Sequence, residues 1–434
     1  MKTEIEKYPA YKDSGVEWMG DIPMHWDSLK MKLLFQDVSI KKKADAELLS
    51  VTQDQGVVPR TWVENRMVMP SGALESFKFI NKGDFAISLR SFEGGLEYCH
   101  YDGIISPAYT VLKAKRNFES KFYKYLFKSF SFISELQTSV VGIRQGKNIS
   151  FEELSYSYLP IPPLPEQTAI ASFLDRKIAL IDQAIDIKHK QIVLLKERRQ
   201  ILVHKAVTRG LNPNVKRKDS GVEWIGEIPE GWEVKKLRYL ANCFPSNVDK
   251  HSKANEKEVR LCNYTDVYKN DYITDDLELM IATAADEQIA KFTLKAGDIV
   301  ITKDSETASD IAVPTFIKEK LTNVVCGYHL AIIRTYRDSY SKYLFQALKT
   351  KLFNAQFEIC SNGITRVGLG NSDLKNGYFL LPTEDEQIKI SDFIEVGTTK
   401  IATAISLKEQ EIEKLKEYKA TLINSAVTGK IKVC

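Results

Sequence analysis

The chain has 434 residues, enough for two or three domains. Hydrophobic residues make up 44% and charged residues 27%, which excludes a disordered chain and an all-apolar membrane bundle and leaves a soluble globular protein. The formal net charge of +4 permits nucleic acid as a partner without pointing to it.

The opening "MKTEIEKYPAYKD" has no apolar stretch of the kind a secretion signal needs, and no run in the chain is long enough for a membrane span. The cysteines (Cys99, Cys243, Cys262, Cys326, Cys360 and Cys434) are scattered and form no CxxC pair. A structural zinc is therefore not expected; reduced thiols in a cytoplasmic protein are.

At Lys12 stands "KDSGVEWMGDIP", and at Lys218 stands "KDSGVEWIGEIP". Ten of the twelve positions are identical, and the two exchanges (Met19 for Ile225, Asp21 for Glu227) are mild. Such a repeat is followed before any other signal. Trp26 goes on to match Trp232, and Leu34 matches Leu240, after which similarity almost vanishes. The interior of the first copy holds "KGDFAISLR" and "PAYTVLKA", short β-branched and aromatic runs that predict strands. "FYKYLFKSFSFISELQ", from Phe122, predicts an amphipathic helix.

Similarity returns where "YLPIPPLPEQ", from Tyr158, matches "YFLLPTEDEQ", from Tyr378. The proline-rich stretch cannot continue a helix, but Pro165 suits a first helical turn and Glu166 suits its positive end. No Gly or Pro then interrupts the chain until Gly210. Leu174, Ile178, Ile181, Ile185, Ile192, Leu195, Leu202 and Ala206 fall on an alternating four-and-three spacing that Lys188 and Arg199 complete. That is a heptad seam and predicts a long coiled-coil helix. The second copy repeats it with Ile394, Thr398, Ile401, Ile405, Lys408, Ile412, Leu415, Lys419, Leu422 and Ala426. Each helix of about 40 residues would run ~60 Å. The matched basic interruptions favour pairing of the two helices with each other over separate burial in a bundle. The spacing alone leaves parallel and antiparallel pairing open. In the second interior, "VRLCNYTDVY" and "KAGDIVITK" predict strands and "SKYLFQALKTKLFNAQFE" predicts a helix at the corresponding place. The boundaries read as a first globular module at 1–164, a central helix at 165–209, a second module at 210–384 and a closing helix at 385–434.

Catalytic signatures are missing. "GIRQGKN" (142–148) is one spacer residue short of a phosphate loop and lacks the Ser or Thr after its lysine. There is no Asn-Pro-Pro-Tyr or Asp-Pro-Pro-Tyr, no HExxH and no GxSxG. No catalytic, cofactor-binding or metal-binding residue is assigned. What the interiors do offer is basic and amide side chains at turns, suited to phosphates and base edges. In the first copy these are Lys41, Lys42, Lys43, Gln53, Arg60, Arg90, Ser91, Arg144 and Lys147. In the second they are Lys250, Lys253, Arg260, Asn263, Tyr264, Lys303, Ser305 and Arg366. For any one of them, a solvated surface charge is the default reading. Arg144 and Arg366 stand out because each follows a Gly-Ile stretch shortly before the shared turn. Asp84 and Asp298 read as turn residues between strands, and Trp18, Trp26, Trp224 and Trp232 as anchors of each interior to common scaffolding.

The doubled order resembles the specificity (S) subunit of type I restriction-modification systems. The resemblance rests on both "KDSGVEW" phrases, both "EQ" helix starts, both heptad seams, and loops such as "SLRSFEGG" and "ITKDSETASDIAVP". It covers essentially the whole chain. It implies an α/β (α+β) fold in which two mixed α/β target-recognition domains are separated by two long helices. Those helices would form an antiparallel coiled coil with pseudo-two-fold symmetry. It implies a non-catalytic subunit that recognises an asymmetric bipartite site in double-stranded DNA. The expected partners are two modification (adenine methyltransferase) subunits and restriction (translocase/nuclease) subunits. S-adenosylmethionine, ATP and Mg2+ would bind those partners and not this chain. The competing expectations are an orphan DNA-binding or scaffold regulator, and a self-contained DNA methyltransferase or nuclease.

Overall fold

The structure is a computed structural model, described here over residues 6–63, 74–141 and 148–433. It divides into two compact units, one formed by Met1–His189 with Glu409–Cys434 and the other by Lys190–Lys408. Each unit holds one globular module and a stretch of each of two long helices, Leu164–Arg209 and Glu384–Val427. No helix among the described residues is long and apolar enough to cross a membrane.

The doubled phrase folds into the same hairpin twice. Tyr11–Asp13 pairs antiparallel with Asp21–Pro23, and Arg217–Asp219 pairs with Glu227–Pro229. The turn follows from its residues. Asp13 Oδ1 accepts from Gly15 N (2.9 Å), and Asp219 Oδ1 accepts from Gly221 N (3.0 Å). Gly15 and Gly221 sit at φ of 68° and 75°, which a side chain would oppose. The next strands close each module on itself. Asp27–Lys30 pairs with Tyr158–Ile161, and Glu233–Lys236 pairs with Tyr378–Leu381. The two ends of each module are therefore hydrogen-bonded to one another just before the long helix begins. At that point Gln167 Nε2 donates to Pro162 O (2.8 Å) and Gln387 Nε2 to Pro382 O (2.9 Å), which accounts for the shared "EQ".

Trp26 and Trp232 are wholly buried, each against a helix end in its own unit. Trp26 meets Gly429 after the C-terminal helix, and Trp232 meets Gly210 after the central one. Trp18 and Trp224 pack edge-on to Phe132 and Phe353. All four are scaffold anchors.

In the first unit the long helices pair antiparallel, since partner numbers fall on one helix as they rise on the other. In the first unit Asp182 meets Lys419 (2.7 Å) and Lys188 meets Glu411 (2.6 Å). In the second Leu202 packs against Gly397, where an added Cβ would lie 2.8 Å from Leu202 Cδ1. Leu174, Ile178, Ile181, Ile192, Ile394, Ile401, Ile412 and Leu422 are buried, and Ile185, Leu195, Leu202, Ile405 and Leu415 half-buried.

In spatial order the first module's main sheet runs Phe35–Asp37, Thr110–Ala114, Phe85–Ile87, Glu97–Tyr98. The second runs Ala241–Pro245, Leu330–Thr335, Ile299–Thr302, Pro314–Ile317, Tyr272–Ile273. The first three strands of each are antiparallel neighbours in the same order. The second module adds a sheet of Met280–Ala284, Lys257–Cys262 and Val324–Cys326. Asp84 and Asp298 sit in equivalent turns, their Oδ2 atoms accepting from Asn81 N (2.9 Å) and Lys295 N (2.8 Å). Each also meets a base on the neighbouring strand, Lys113 at 3.6 Å and Arg334 at 2.6 Å. The hydrogen bonds it donates to Asp298 hold the Arg334 guanidinium above its ordinary range.

The helix expected from Phe122 is two helices, Ser120–Leu126 and Phe130–Thr138. Its counterpart is Asp338–Leu348 and Lys351–Cys360. The breaks fall at Ser129 and Thr350, whose hydroxyls accept from Phe132 N and Phe353 N and start a second helix.

Candidate nucleic-acid interface

In the second module three separated loops meet. Asp304–Ser305 pairs antiparallel with Val367–Gly368, which brings the loop after the central strand against the loop that follows the helix Lys351–Cys360. The Tyr328–His329 turn joins them, its His329 O accepting from Lys303 N (2.8 Å) and Asp304 N (3.3 Å). Side chains then interlock. Asp304 Oδ2 lies 3.0 Å from His329 Nδ1, and His329 Nε2 lies 2.9 Å from Arg366 Nη1. Lys303 Nζ donates to Asp304 (2.7 and 2.9 Å) and sits 5.8 Å from the centre of the Tyr328 ring. Tyr264 OH bonds Ser305 Oγ (3.0 Å), and the Tyr264 and Tyr268 rings stack 5.7 Å apart. Asp310, hydrogen-bonded to Tyr268, raises that phenol above its ordinary range.

Four of the sequence candidates, Tyr264, Lys303, Ser305 and Arg366, thus share one patch. Asn263 lies at its edge, where its backbone N and the side chain of Asp266 complete a capping box for the helix Tyr264–Lys269. Lys250 is exposed on a loop held beside Tyr328, whose N donates to Val248 O (2.6 Å). The patch presents cations and half-exposed aromatic rings together with Ile364, which stands fully in solvent (104% relative exposure). Cations and exposed aromatic faces suit phosphates, base edges and base faces.

Other candidates serve the fold. Arg260 is spent internally, its guanidinium donating to Asp275 Oδ1 (2.6 Å), Asp275 O (2.7 Å) and Leu277 O (2.8 Å). In that position it braces the strand Lys257–Cys262 against the segment 275–277. Lys253 is paired with Glu256 (3.3 Å) and Asp249 (3.9 Å).

In the first module Arg90 is exposed at the turn equivalent to Asp304 and precedes the short helix Ser91–Gly94. Ser91 is wholly buried and accepts from Ser88 N (2.8 Å), so it shapes that turn and presents nothing to a ligand. Gln53 is exposed beside it, its Nε2 donating to Arg90 O (3.2 Å). One ammonium anchors both turns: Lys128 Nζ donates to Gln53 O (2.9 Å), Gly94 O (2.8 Å) and Glu97 Oε1 (2.7 Å). Glu97 is buried with Oε2 lacking a partner among the described residues. Burial pushes its carboxyl up to about 7, against the downward pull of Lys128.

Arg60 donates to Val63 O (3.4 Å) next to exposed Trp62. Lys41, Lys42 and Lys43 are exposed on a loop, with Lys42 at φ 61°. Arg144 and Lys147 lie outside the described residues. Sequence reasoning passed over Asp304, Tyr328 and His329, because a lone histidine in a turn carries no spacing signature.

The sequence model of the type I restriction modification DNA specificity domain matches residues 67–197 and 229–417, well over half of the chain. Among known relatives, the chain is similar to the type I restriction enzyme MjaVIII specificity subunit of Methanocaldococcus jannaschii. Identity is 24% over 367 residues, covering 82% of this chain and 80% of the relative. Among solved structures, one from work on complex assembly and conformational transition of the type I R-M system is similar at TM-score 0.70. It shares 14% identity and covers 94% of this chain and 98% of that one. The crystal structure of the HsdS subunit from Thermoanaerobacter tengcongensis is similar at TM-score 0.55 and 16% identity, with the same coverage of 94% and 98%. The framing hairpins, the antiparallel helix pairing in the first unit and the domain match in each half agree: the chain belongs to the DNA-specificity subunits of type I restriction-modification systems, which recognise DNA and do not themselves catalyse.

Proposed function

We propose that the chain reads an asymmetric bipartite site in duplex DNA, one module to each half-site. The observation that carries this is the repetition of one frame around two different loop sets. Hairpin, closing strand pair and long helix occur twice, whereas the loops they frame differ, with Lys303, Tyr328 and Arg366 in the second module and Gln53 and Arg90 in the first. Two unlike readers on one scaffold give a target with unlike halves. Two modification subunits and the restriction subunits would join this chain, bringing S-adenosylmethionine, ATP and Mg2+ chemistry. Exposed apolar side chains at seven-residue spacing on the central helix, Leu180, Ile187, Leu194 and Ile201, support a docking role.

Methylome sequencing of the host with and without the gene tests the reading. A two-part adenine-methylated motif that disappears with the gene is expected. Replacing the second module's interior should change one half of that motif and leave the other. A motif that survives both module replacements would overturn the proposal.

A further inference from the structure

We propose that Arg366 reads a guanine in the half-site of the second module, and that His329 is the positioning residue that aims it. The inference rests on the reading of the chain as a DNA-specificity subunit and deepens it to one base and two side chains.

Donor and acceptor chemistry fixes the arrangement. A carboxylate only accepts, so the 3.0 Å contact to Asp304 Oδ2 places a hydrogen on His329 Nδ1. A guanidinium only donates, so the 2.9 Å contact from Arg366 Nη1 requires a lone pair on His329 Nε2. His329 is therefore the neutral tautomer, held by Asp304, and it orients the arginine by one of its five N–H groups. Lys303 completes the charge balance on Asp304. The rest of the guanidinium stays exposed.

The backbone around this relay is shaped for it at some conformational cost. His329 stands at φ 72°, a left-handed position that favours glycine. The loop carrying Arg366 closes through reciprocal bonds between Asn362 and Gly368 (3.1 and 2.9 Å). Gly363, at φ 150°, faces Arg366 O so closely that a Cβ would stand 1.9 Å from it. Leu369 N then ties the loop to Lys303 O (2.8 Å). A solvated surface arginine needs none of this bracing. A pre-oriented guanidinium beside an exposed ring suits a base edge, and its planar fork matches the O6 and N7 acceptors of guanine in the major groove.

Selection from a pool of randomised duplexes by the full-length chain, at one fixed salt concentration, tests the proposal. The wild type is expected to enrich a two-part consensus. Arg366→Ala should lose preference for guanine at one position in one half by roughly 5- to 100-fold, with every other position unchanged. His329→Gly removes the imidazole while suiting the backbone, so the fold stands and the same single position should relax. His329→Gln offers an amide that donates to Asp304 and accepts from Arg366, and should retain the preference. Uniform weakening by Arg366→Ala with the consensus intact would make Arg366 a phosphate contact and overturn the proposal. Full preference in His329→Gly would reduce His329 to a turn residue and overturn its part. A wild-type chain that selects no consensus would sink the specificity reading itself, a failure visible before any substitution is made.

Discussion

Glu97→Gln isolates the buried anchor beneath the first module's candidate loops. The carboxyl has no exposure to solvent, bonds Lys128 through Oε1 and leaves Oε2 unpaired among the described residues. Burial raises it from an ordinary 4.5 to about 7. Between those two values the unfolded chain has lost the proton while the folded chain keeps it. Stability is therefore lost as pH rises through that window, and is fully present below the unfolded value. At ~1.36 kcal/mol per pKa unit, the loss amounts to about 3 kcal/mol between pH 4 and pH 8. Glutamine keeps the shape and cannot ionise. The variant should gain about 3 kcal/mol on the wild type over that range, whatever their difference at pH 4. The assay is hydrogen exchange at several pH values, corrected for intrinsic rates and resolved to the segment 91–98, because a chain of two units has no single unfolding free energy. Lys128 also holds Gln53 O and Gly94 O, so the same opening frees the turns that carry Gln53 and Arg90. Parallel pH profiles for wild type and variant in that segment would refute the reasoning.

The remaining predictions separate frame from reader. Gly429→Ala meets both a left-handed φ of 73° and a Cβ 2.4 Å from Pro23 Cδ; it should cost about 2–5 kcal/mol in exchange protection of the 11–23 hairpin. Gly221→Ala, at φ 75° with nothing within 4 Å, should cost only ~1–2 kcal/mol, and equal costs would show that packing at Gly429 contributes nothing. Arg260→Met removes the hydrogen bonds to Asp275 and Leu277 O and should destabilise the second module by about 2 kcal/mol. Its DNA consensus from duplex selection should stay unchanged, and a changed base at any position would return Arg260 to the readers. Deleting one heptad from each long helix removes ~10 Å of rise, and the unread gap in the methylated motif should shorten by about 3 base pairs; an unchanged gap would dismiss the helices as a ruler.

What was legible in the sequence is what bonds locally. The heptad seam shows because its period is the helix's own, and Leu174, Ile178, Ile394 and Ile412 are buried accordingly. The Asp84 and Asp298 turns show because their carboxylates bond amides three residues away. The break at Ser129 was missed because serine fits an amphipathic pattern as well as it caps a helix. Arg260 and Arg366 look alike in sequence. One is surrounded by Asp275, Leu277 and Thr322 and braces the fold, while the other bonds His329 and remains exposed. That difference is tertiary, set by strand pairing across long separations, and no local pattern encodes it.

The same distinction explains why the doubled phrase repeats and the loops do not. Residues of the frame meet partners that the frame itself supplies: Asp13 with Gly15, Gln167 with Pro162, Trp26 with Gly429. Any change there disturbs bonds present in every copy of the frame, so both copies are held to one solution. Among the described residues, the side chains of Asp304, His329 and Arg366 bond to one another and to Lys303 of the same loop. This relay sits on strand ends whose sheet order is common to both modules. A different set of loop side chains on those ends, Arg90 over Lys128 for instance, leaves hairpin, closing strands and helix start untouched. The physical separation of the two bonding networks is what allows one scaffold to carry two unlike readers.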